Sequence, residues 1–277
     1  MLSQRALVTG ASRGIGKAIA LALAEKGYSV AVSARTMSAG EFHSNGEEPG
    51  AATALPGSLS ETVQEIAARG GQGLAVPLDL TDRTSVGAAA QLVLDRWGGV
   101  DVLVHNGRHI GPGLMDRFLD TPVQAYDKFY EAHCAAPIAL TKALLPGMLD
   151  RGFGYVVTIT SGAGYTAPPA PAGSGGWGLG YAVGKASGHM LVGTLNAEFR
   201  DRGVRAFNVD PGAVLTERKI ATSTNYGVAS ASSMAPPSVI GAAVAWLVTS
   251  PEAEGLLGET VIAQELAFER GLHAPWR

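Results

Sequence analysis

Near the start of the chain stands the stretch that decides the fold, Thr9-Gly10-Ala11-Ser12-Arg13-Gly14-Ile15-Gly16. A short strand-like segment, Ala6–Thr9, leads into it, and helix-forming residues, Lys17–Glu25, follow it. Its three glycines permit backbone angles that other residues avoid, and they let a phosphate group approach the main chain. Because N–H groups at the start of a helix favour an anion, the stretch predicts a phosphate-binding turn. The alternative is a glycine-rich turn without a ligand.

Strand-like and helix-like segments alternate along the rest of the chain. Strands are predicted at Ala6–Thr9, Val30–Ser33, Gly73–Leu78, Val100–His105, Tyr155–Thr160, Val204–Val209 and Thr260–Ala263. Helices are predicted at Lys17–Glu25, Leu59–Ala68 after a Ser58–Glu61 capping box, Ser85–Trp97, Val123–Leu149 with an interruption near Pro137, Tyr181–Arg200 and Ser238–Leu247. This alternation predicts an α/β, Rossmann-type doubly wound parallel sheet with helices on both faces. Ligands bind such sheets at the carboxyl ends of the strands.

Length and composition favour a single domain over residues 1–277. Hydrophobic residues make up 46% of the chain and charged residues 16%, which excludes a disordered protein. Three irregular segments interrupt the alternation. We interpret residues 37–58 and 167–178 as insertions and residues 213–237 as a substrate loop with short helices.

Charge and cysteine content exclude several classes of protein. The formal net charge is -3, so the sequence gives no electrostatic sign of nucleic-acid binding. The single cysteine, Cys134, permits neither an intrachain disulfide nor a cysteine-based zinc site, and the histidines lack partners at metal-binding spacing. The N-terminus leads directly into a strand, and no apolar run approaches the ~20 residues of a membrane span. We therefore expect a cytoplasmic protein without a metal or a membrane partner.

A tyrosine and a lysine four residues apart suggest proton-transfer chemistry. Tyr181 and Lys185 share one face of a predicted helix. A nearby ammonium lowers the pKa of a phenol, so Tyr181 could act as a general acid or base near neutral pH. Ser161 follows the strand Tyr155–Thr160, where a serine can act as a capping residue.

Together these motifs resemble the short-chain dehydrogenase/reductase family, whose opening motif is Thr-Gly-x3-Gly-x-Gly. The resemblance covers nearly the whole chain apart from the insertions and the C-terminus. It implies hydride transfer between a nicotinamide cofactor and an alcohol/ketone pair. It also implies that Tyr181 is the general acid/base, that Ser161 orients the substrate oxygen, and that Lys185 lowers the Tyr181 pKa and binds the nicotinamide ribose. A homo-oligomer, either a tetramer or a dimer, is expected.

The second strand indicates which cofactor is used. No acidic residue follows it; Ala34 and Arg35 stand there instead. Arg35 and Arg13 could bind a 2′-phosphate, which favours NADP over NAD, unless both are ordinary surface arginines. Asp79 is implied to contact the adenine, or it caps a helix. The predicted cofactor-binding residues are Gly10, Ser12, Arg13, Gly14, Ile15, Gly16, Arg35, Asp79, Leu80, Asn106, Gly107, Tyr181, Lys185, Pro211, Gly212, Val214 and Thr216.

Several positions depart from the family's pattern. His133 stands where the family has a catalytic Asn; it either holds the same proton-relay water, titrates near neutrality itself, or is structural. Arg108 replaces a small residue near the cofactor. Ser161 and Tyr181 are 20 residues apart, more than is usual, and we expect the excess to form an enlarged loop that favours a lipophilic substrate. Ala263-Gln264-Glu265-Leu266 replaces the usual Asp-Gly-Gly.

Three functions are therefore kept open. The first is an NADP(H)-dependent oxidoreductase that interconverts a secondary alcohol and a ketone, with Ser161, Tyr181, Lys185 and His133 as catalytic residues. The second keeps the fold and the cofactor but performs enoyl reduction or dehydration. The third is an NADP-binding sensor with degraded catalysis, for which His133 and Arg108 are the only support.

Overall fold

The computed structural model describes residues 3–43, 55–221 and 234–276. Within them, seven strands form one parallel sheet in the order β3-β2-β1-β4-β5-β6-β7. The strands are β1 (Arg5–Thr9), β2 (Ser29–Ala34), β3 (Gly73–Pro77), β4 (Val102–His105), β5 (Gly154–Ile159), β6 (Val204–Asp210) and β7 (Thr260–Ile262). The predicted sheet is confirmed, and each predicted strand is present to within two residues at either end.

Helices cover both faces of the sheet. They are α1 (Gly14–Glu25), α2 (Leu59–Ala68), α3 (Arg83–Trp97), α4 (Ala125–Tyr130), α5 (Ala136–Arg151), α6 (Leu179–Phe199), α7 (Glu217–Ala221), α8 (Pro237–Thr249) and α9 (Ala263–Glu269). Side chains from α1, α2, α8 and α9 form one hydrophobic core, and those from α3, α5 and α6 form the other. The doubly wound architecture follows from this distribution.

Alternation along the strands divides the side chains between the two cores. Leu7 in β1 packs into the core of α3, α5 and α6, whereas its neighbours Ala6 and Val8 pack into the core of α1 and α8. All three are fully buried. Strands covered on both faces have continuous apolar sequences, which is why β1 and β4 were recognisable.

Several boundaries differ from the sequence-based prediction. The interruption near Pro137 is a π-helical turn, Glu131–Ala135, directly before the first turn of α5, where a proline is tolerated. α9 was not predicted, although its sequence consists largely of helix formers. Ser58 caps α2 by accepting a hydrogen bond from the Glu61 N–H, as predicted. Of the predicted insertion, residues 44–54 lie outside the described residues, as do residues 222–233 of the 213–237 loop.

The expectation that no apolar run approaches the length of a membrane span is corrected by one continuous helical region, Ala125–Arg151, which is long and apolar enough to cross a membrane by length and composition alone. Half of its most apolar window is buried inside the fold, and core helices pass the same test. The residues of α5 that face the sheet, including Leu140, Leu144 and Met148, are almost fully buried. Its apolar composition is therefore explained by core packing.

The contact between α1 and α8 depends on a glycine, and this generates a prediction for stability. A Cβ atom on Gly241 would lie 2.6 Å from the Ala18 carbonyl oxygen, so Gly241→Ala must push the helices apart. We expect a loss of about 1–3 kcal/mol in the free energy of unfolding. Gly87 is the matched control, since it is exposed in α3 and a Cβ there meets nothing within 4 Å. Gly87→Ala should stabilise the protein by up to about 1 kcal/mol. Urea denaturation measures both, and equal effects would contradict the packing argument.

Candidate active site

The carboxyl ends of β1 and β4 are joined by a compact hydrogen-bond network. The Thr9 hydroxyl oxygen accepts bonds from the N–H groups of Asn106 (3.0 Å) and Gly107 (2.9 Å). The Asn106 amide nitrogen donates to the carbonyl oxygens of Thr9 (2.9 Å) and Gly10 (3.2 Å). A Cβ on Gly10 would lie 2.7 Å from the Gly107 Cα. These strands adjoin where the order of connection reverses, which is where ligands bind in doubly wound sheets.

The glycine-rich turn has the geometry of an anion site. Gly10 and Gly14 adopt φ values of 68° and 56°, a region that favours glycine. The Gly14 N–H, at the start of α1, donates to the Glu217 carboxylate at 2.9 Å. A carboxylate at this helix N-terminus shows that the turn accepts an anion, as the diphosphate of a dinucleotide requires. Ser12 is buried and Ile15 is half-buried in the same turn.

The two arginines expected at the 2′-phosphate have different surroundings. The Arg13 guanidinium donates to the carbonyl oxygens of Pro56 (2.8 Å) and Gly57 (2.7 Å). Burial and the nearby charges of Arg218 and Arg35 lower its pKa, an effect that Glu217 opposes. Arg35 is half-buried just beyond β2. Arg13 is thus near Arg35, as predicted, but it is already engaged by the end of the 37–58 insertion.

The acidic turn after β3 is held by local hydrogen bonds. One carboxylate oxygen of Asp79 accepts from the Thr81 N–H (2.9 Å) and the Thr81 hydroxyl (2.8 Å). The N-cap of α3 is Asp82, so the alternative in which Asp79 caps this helix is wrong. The Leu80 side chain lies against Gly107, where an added Cβ would come within 2.6 Å. The turn therefore borders the carboxyl end of β4.

Ser161, Tyr181 and Lys185 come together between β5 and α6. Ser161 lies two residues after the end of β5. Its hydroxyl oxygen accepts a 3.3 Å bond from the Ala163 N–H and also interacts with the Tyr181 hydroxyl. Ser161 is therefore both a cap and a neighbour of Tyr181. A Cβ on Gly164 would lie 2.9 Å from the Lys185 carbonyl carbon. Close packing at this glycine brings the end of β5 against α6.

Electrostatics around Tyr181 favour its ionised form. Burial alone would raise the pKa of its hydroxyl, but the Lys185 and Arg108 cations and hydrogen bonding with Ser161 and Arg108 outweigh that effect and lower the pKa. The Lys185 Nζ lies 5.8 Å from the Tyr181 ring centroid and donates to the Ile159 carbonyl oxygen at 2.7 Å. Burial lowers the pKa of Lys185, while Tyr181 and the Asp210 carboxylate oppose this. The hydroxyl is thereby prepared for proton transfer.

His133 is fixed and neutral. Its Nε2 accepts the His109 N–H at 3.0 Å, and its carbonyl oxygen accepts from the Ser187 hydroxyl at 2.8 Å. Burial, together with the charges of Lys185 and Arg108, holds the pKa of His133 well below its usual value. The alternative in which it titrates near neutrality is therefore wrong.

A small cavity lies behind Lys185. It measures about 20 Å³ and is lined by His133, Lys185, Thr158 and His105, among others. The Thr158 hydroxyl is buried and has no hydrogen-bond partner within the described part of the chain. Such a volume is enough for one water molecule, and the lining supplies polar partners.

The segment after β6 closes the site on the side of the glycine-rich turn. The Gly212 N–H donates to the Asp210 carboxylate at 2.8 Å, and the Gln264 side-chain amide donates to the carbonyl oxygens of Pro211 (2.8 Å) and Ala213 (3.0 Å). Val214 pairs with Ala235. The Thr216 side chain lies beside Gly14, where an added Cβ would meet its Cγ2 at 3.3 Å. The predicted residues Pro211 to Thr216 thus border the anion site.

Sequence reasoning missed three functional candidates. Glu217 occupies the phosphate-binding turn, Gln264 holds the segment after β6, and Asp210 lies near Lys185 while accepting the Tyr165 hydroxyl at 2.6 Å. Burial and Asp210 raise the pKa of Tyr165, so its hydroxyl stays protonated as the donor. Only Asp210 had a sequence signal, since it ends a buried strand and directly precedes Pro211.

In the described ranges, which omit residues 44–54 and 222–233, no cluster of three metal-ligating side chains occurs.

A glycine-rich turn at the switch point of a doubly wound sheet, together with a tyrosine of lowered pKa, is typical of dinucleotide-dependent oxidoreductases. A profile described as short chain dehydrogenase matches residues 4–56, and one described as Enoyl-(Acyl carrier protein) reductase matches residues 37–265. The chain belongs to the short-chain dehydrogenase/reductase family, a family of NAD(P)-dependent oxidoreductases.

Individual relatives agree with this assignment. A 3-oxoacyl-(acyl-carrier-protein) reductase of Vibrio cholerae is 31% identical over 261 residues, which cover 92% of this chain and 93% of the relative. A 7alpha-hydroxysteroid dehydrogenase of Escherichia coli is 29% identical over 212 residues, with 76% and 71% covered. A metagenomic short-chain oxidoreductase solved in complex with NADP is 27% identical, with a TM-score of 0.70 over 94% of this chain and 97% of that one.

The Glu217 contact generates a prediction for cofactor affinity. Its carboxylate competes with a cofactor phosphate for the Gly14 N–H, so Glu217→Gln should tighten the binding of NADPH and of NADH roughly two- to fivefold, the size of a charge effect at a helix terminus. Fluorescence titration measures both. Glu269→Gln, which removes an exposed carboxylate in α9, is the control and should leave both affinities unchanged. Weaker binding by Glu217→Gln would show that this carboxylate assists the cofactor.

Proposed function

We propose that the protein is an NADP(H)-dependent oxidoreductase that interconverts a secondary alcohol and a ketone. The observation that carries the proposal is the Tyr181 hydroxyl, whose pKa is lowered by Lys185 and Arg108 and which Ser161 adjoins. A carbonyl oxygen needs a proton when hydride reaches its carbon, and a phenol of lowered pKa can supply one near neutral pH. The nicotinamide cofactor supplies the hydride when bound.

The residues of this chain divide the remaining work. The glycine-rich turn and α1 hold the cofactor's diphosphate, and Pro211 to Thr216 border the nicotinamide end. Ser161 donates a hydrogen bond to the substrate oxygen and keeps it beside Tyr181. Tyr181 gives its proton to that oxygen in reduction and takes it back in oxidation.

In this proposal, the proton that Tyr181 gives up is replaced through the small cavity that residues of β5 and α6 line. Lys185 adjoins the cavity of about 20 Å³ that His133 and Thr158 also line. When Lys185 passes a proton toward Tyr181, a water in that cavity could replace the proton on Lys185. His133 is neutral, and its Nε2 is occupied by the His109 N–H, so its part is to shape the cavity and not to carry charge.

The preference for NADP is also part of the proposal. β2 ends at Ala34, followed by Arg35, so no carboxylate is available there for the ribose hydroxyls of NAD. A guanidinium near this position suits a 2′-phosphate. Arg35, half-buried just beyond β2, and Arg13, whose guanidinium also donates to carbonyl oxygens of residues 56 and 57, are both candidates. A cytoplasmic homo-oligomer, dimer or tetramer, remains the expected working form.

Replacement of Tyr181 tests the reaction. Tyr181→Phe removes the proton donor while keeping the ring, so kcat for NADPH-dependent ketone reduction should fall by about 10²- to 10⁴-fold. NADPH should still bind, as measured by fluorescence. Tyr130→Phe, which removes an exposed hydroxyl, is the control.

In the wild type, the rate of reduction should fall and the rate of oxidation should rise as the pH passes upward through the lowered Tyr181 pKa. Turnover of an enoyl substrate with none of any ketone would contradict the proposal.

Replacement of Ala34 tests the cofactor. Ala34→Asp places a carboxylate where the 2′-phosphate of NADP would bind, so repulsion should weaken NADPH binding while NADH binding improves. We expect the ratio of NADPH to NADH affinity to fall by about 10- to 100-fold. This is the size expected when a charge-assisted hydrogen bond to the 2′-phosphate is lost and the new carboxylate repels that phosphate. Ala34→Asn is the control of nearly equal size without the charge. An unchanged ratio would place the adenosine ribose away from the end of β2.

A further inference from the structure

Arg108 stands in the active site with its backbone held from both sides. The preceding residue, Gly107, donates its N–H to the Thr9 hydroxyl at 2.9 Å. The following residue, His109, donates its N–H to the His133 Nε2 at 3.0 Å and packs edge-on against Phe129, with ring centroids 4.9 Å apart. The Arg108 side chain itself is exposed. The backbone on both sides of Arg108 is therefore fixed, while its exposed guanidinium remains accessible to a ligand.

The loop that carries Arg108 lies beside Tyr181, because the His133 ring that accepts the His109 N–H is edge-on to the Tyr181 ring, with ring centroids 6.4 Å apart. The positive charge of Arg108 favours the deprotonated forms of Tyr181, Lys185 and His133. Lys185, the other cation of the site, is buried and donates to the Ile159 carbonyl oxygen. Of these two cations near Tyr181, Arg108 is therefore the one that is exposed to solvent.

The charge of Arg108 is not balanced by an ion pair. Across residues 3–43, 55–221 and 234–276, no acidic side chain forms a salt bridge with it. The nearby Asp210 carboxylate lies on the Lys185 side, where it accepts from the Tyr165 hydroxyl and the Gly212 N–H. An exposed arginine without an acidic partner, beside a reacting hydroxyl, is suited to an anionic ligand.

We propose that Arg108 binds a carboxylate of the substrate, and that the substrate is a small 2-oxo or 3-oxo acid or the corresponding hydroxy acid. This rests on the proposed function. The ketone oxygen must lie at the Tyr181 and Ser161 hydroxyls, and Arg108 adjoins the same tyrosine, so a carboxylate bound by Arg108 lies close to the ketone along the substrate. A guanidinium binds a carboxylate through two parallel N–H donors, which an ester or a thioester cannot match. The proposal replaces the lipophilic substrate expected from the 167–178 loop.

The test compares matched acids and esters with NADPH as the reductant. The pairs are pyruvate with methyl pyruvate and acetoacetate with methyl acetoacetate. The wild type should give a higher kcat/KM for each acid. Arg108→Gln should lower the ratio of acid to ester kcat/KM by about 10- to 100-fold, since a charge-assisted bond is lost only with the acid. Arg108→Lys should restore part of that ratio. Arg117→Gln, which removes an exposed arginine nine residues away in the chain, should leave it unchanged.

Other results would overturn the assignment. If Arg108→Gln lowers kcat/KM equally for acids and esters and moves the pH profile of reduction upward, Arg108 tunes Tyr181 and does not bind substrate. If the variant instead loses NADPH affinity by fluorescence titration, Arg108 binds the cofactor. Preference of the wild type for the esters would contradict the substrate class while leaving the reductase proposal standing. No turnover of any pair, or of neutral ketones, would contradict the proposed function itself.

Discussion

The structure depends on the junction between β1 and β4, where the Asn106 side chain and the Thr9 hydroxyl join two strand ends. Asn106 donates to two successive carbonyl oxygens, and Thr9 accepts two successive N–H groups. Buried backbone groups at the end of a sheet need such partners, because the ladder no longer supplies them. The same bonds set the position of the glycine-rich turn and of the loop that carries Arg108. The proposed cofactor site and the proposed substrate site are therefore positioned by one network.

Charge balance in the catalytic centre follows from burial. Lys185 is enclosed between β5 and α6, where an isolated ammonium is costly. The Ile159 carbonyl oxygen and the Asp210 carboxylate offset that cost, and the Tyr181 hydroxyl gains from the retained charge. Burial and the same cations also lower the pKa of His133, so its ring stays neutral. One buried lysine thus lowers the pKa of two neighbours of different chemistry.

Segments that interrupt the regular alternation contribute contacts to the site. The end of the 37–58 insertion supplies carbonyl oxygens to Arg13, and residues 167–178 pack against the loop after Arg108, where the Gly178 N–H donates to the Leu114 carbonyl oxygen at 2.8 Å. Such loops decide the substrate and cofactor contacts of a doubly wound sheet, because the strands only set where the loops begin.

The amino-acid sequence by itself determined the type of the strands and their order along the chain, the glycine-rich turn and the Tyr181 and Lys185 pair, while Ser161 was assigned through the family resemblance. These are local signals: apolar runs of strand length, glycines after a strand, and a four-residue spacing on one helix face. The π-helical turn before Pro137, the engagement of Arg13 and the approach of Glu217 to Gly14 were decided only by the tertiary structure. Each joins groups far apart in the chain or depends on packing between helices. No periodicity or spacing encodes such contacts, because their geometry exists only once the sheet and its helices have assembled.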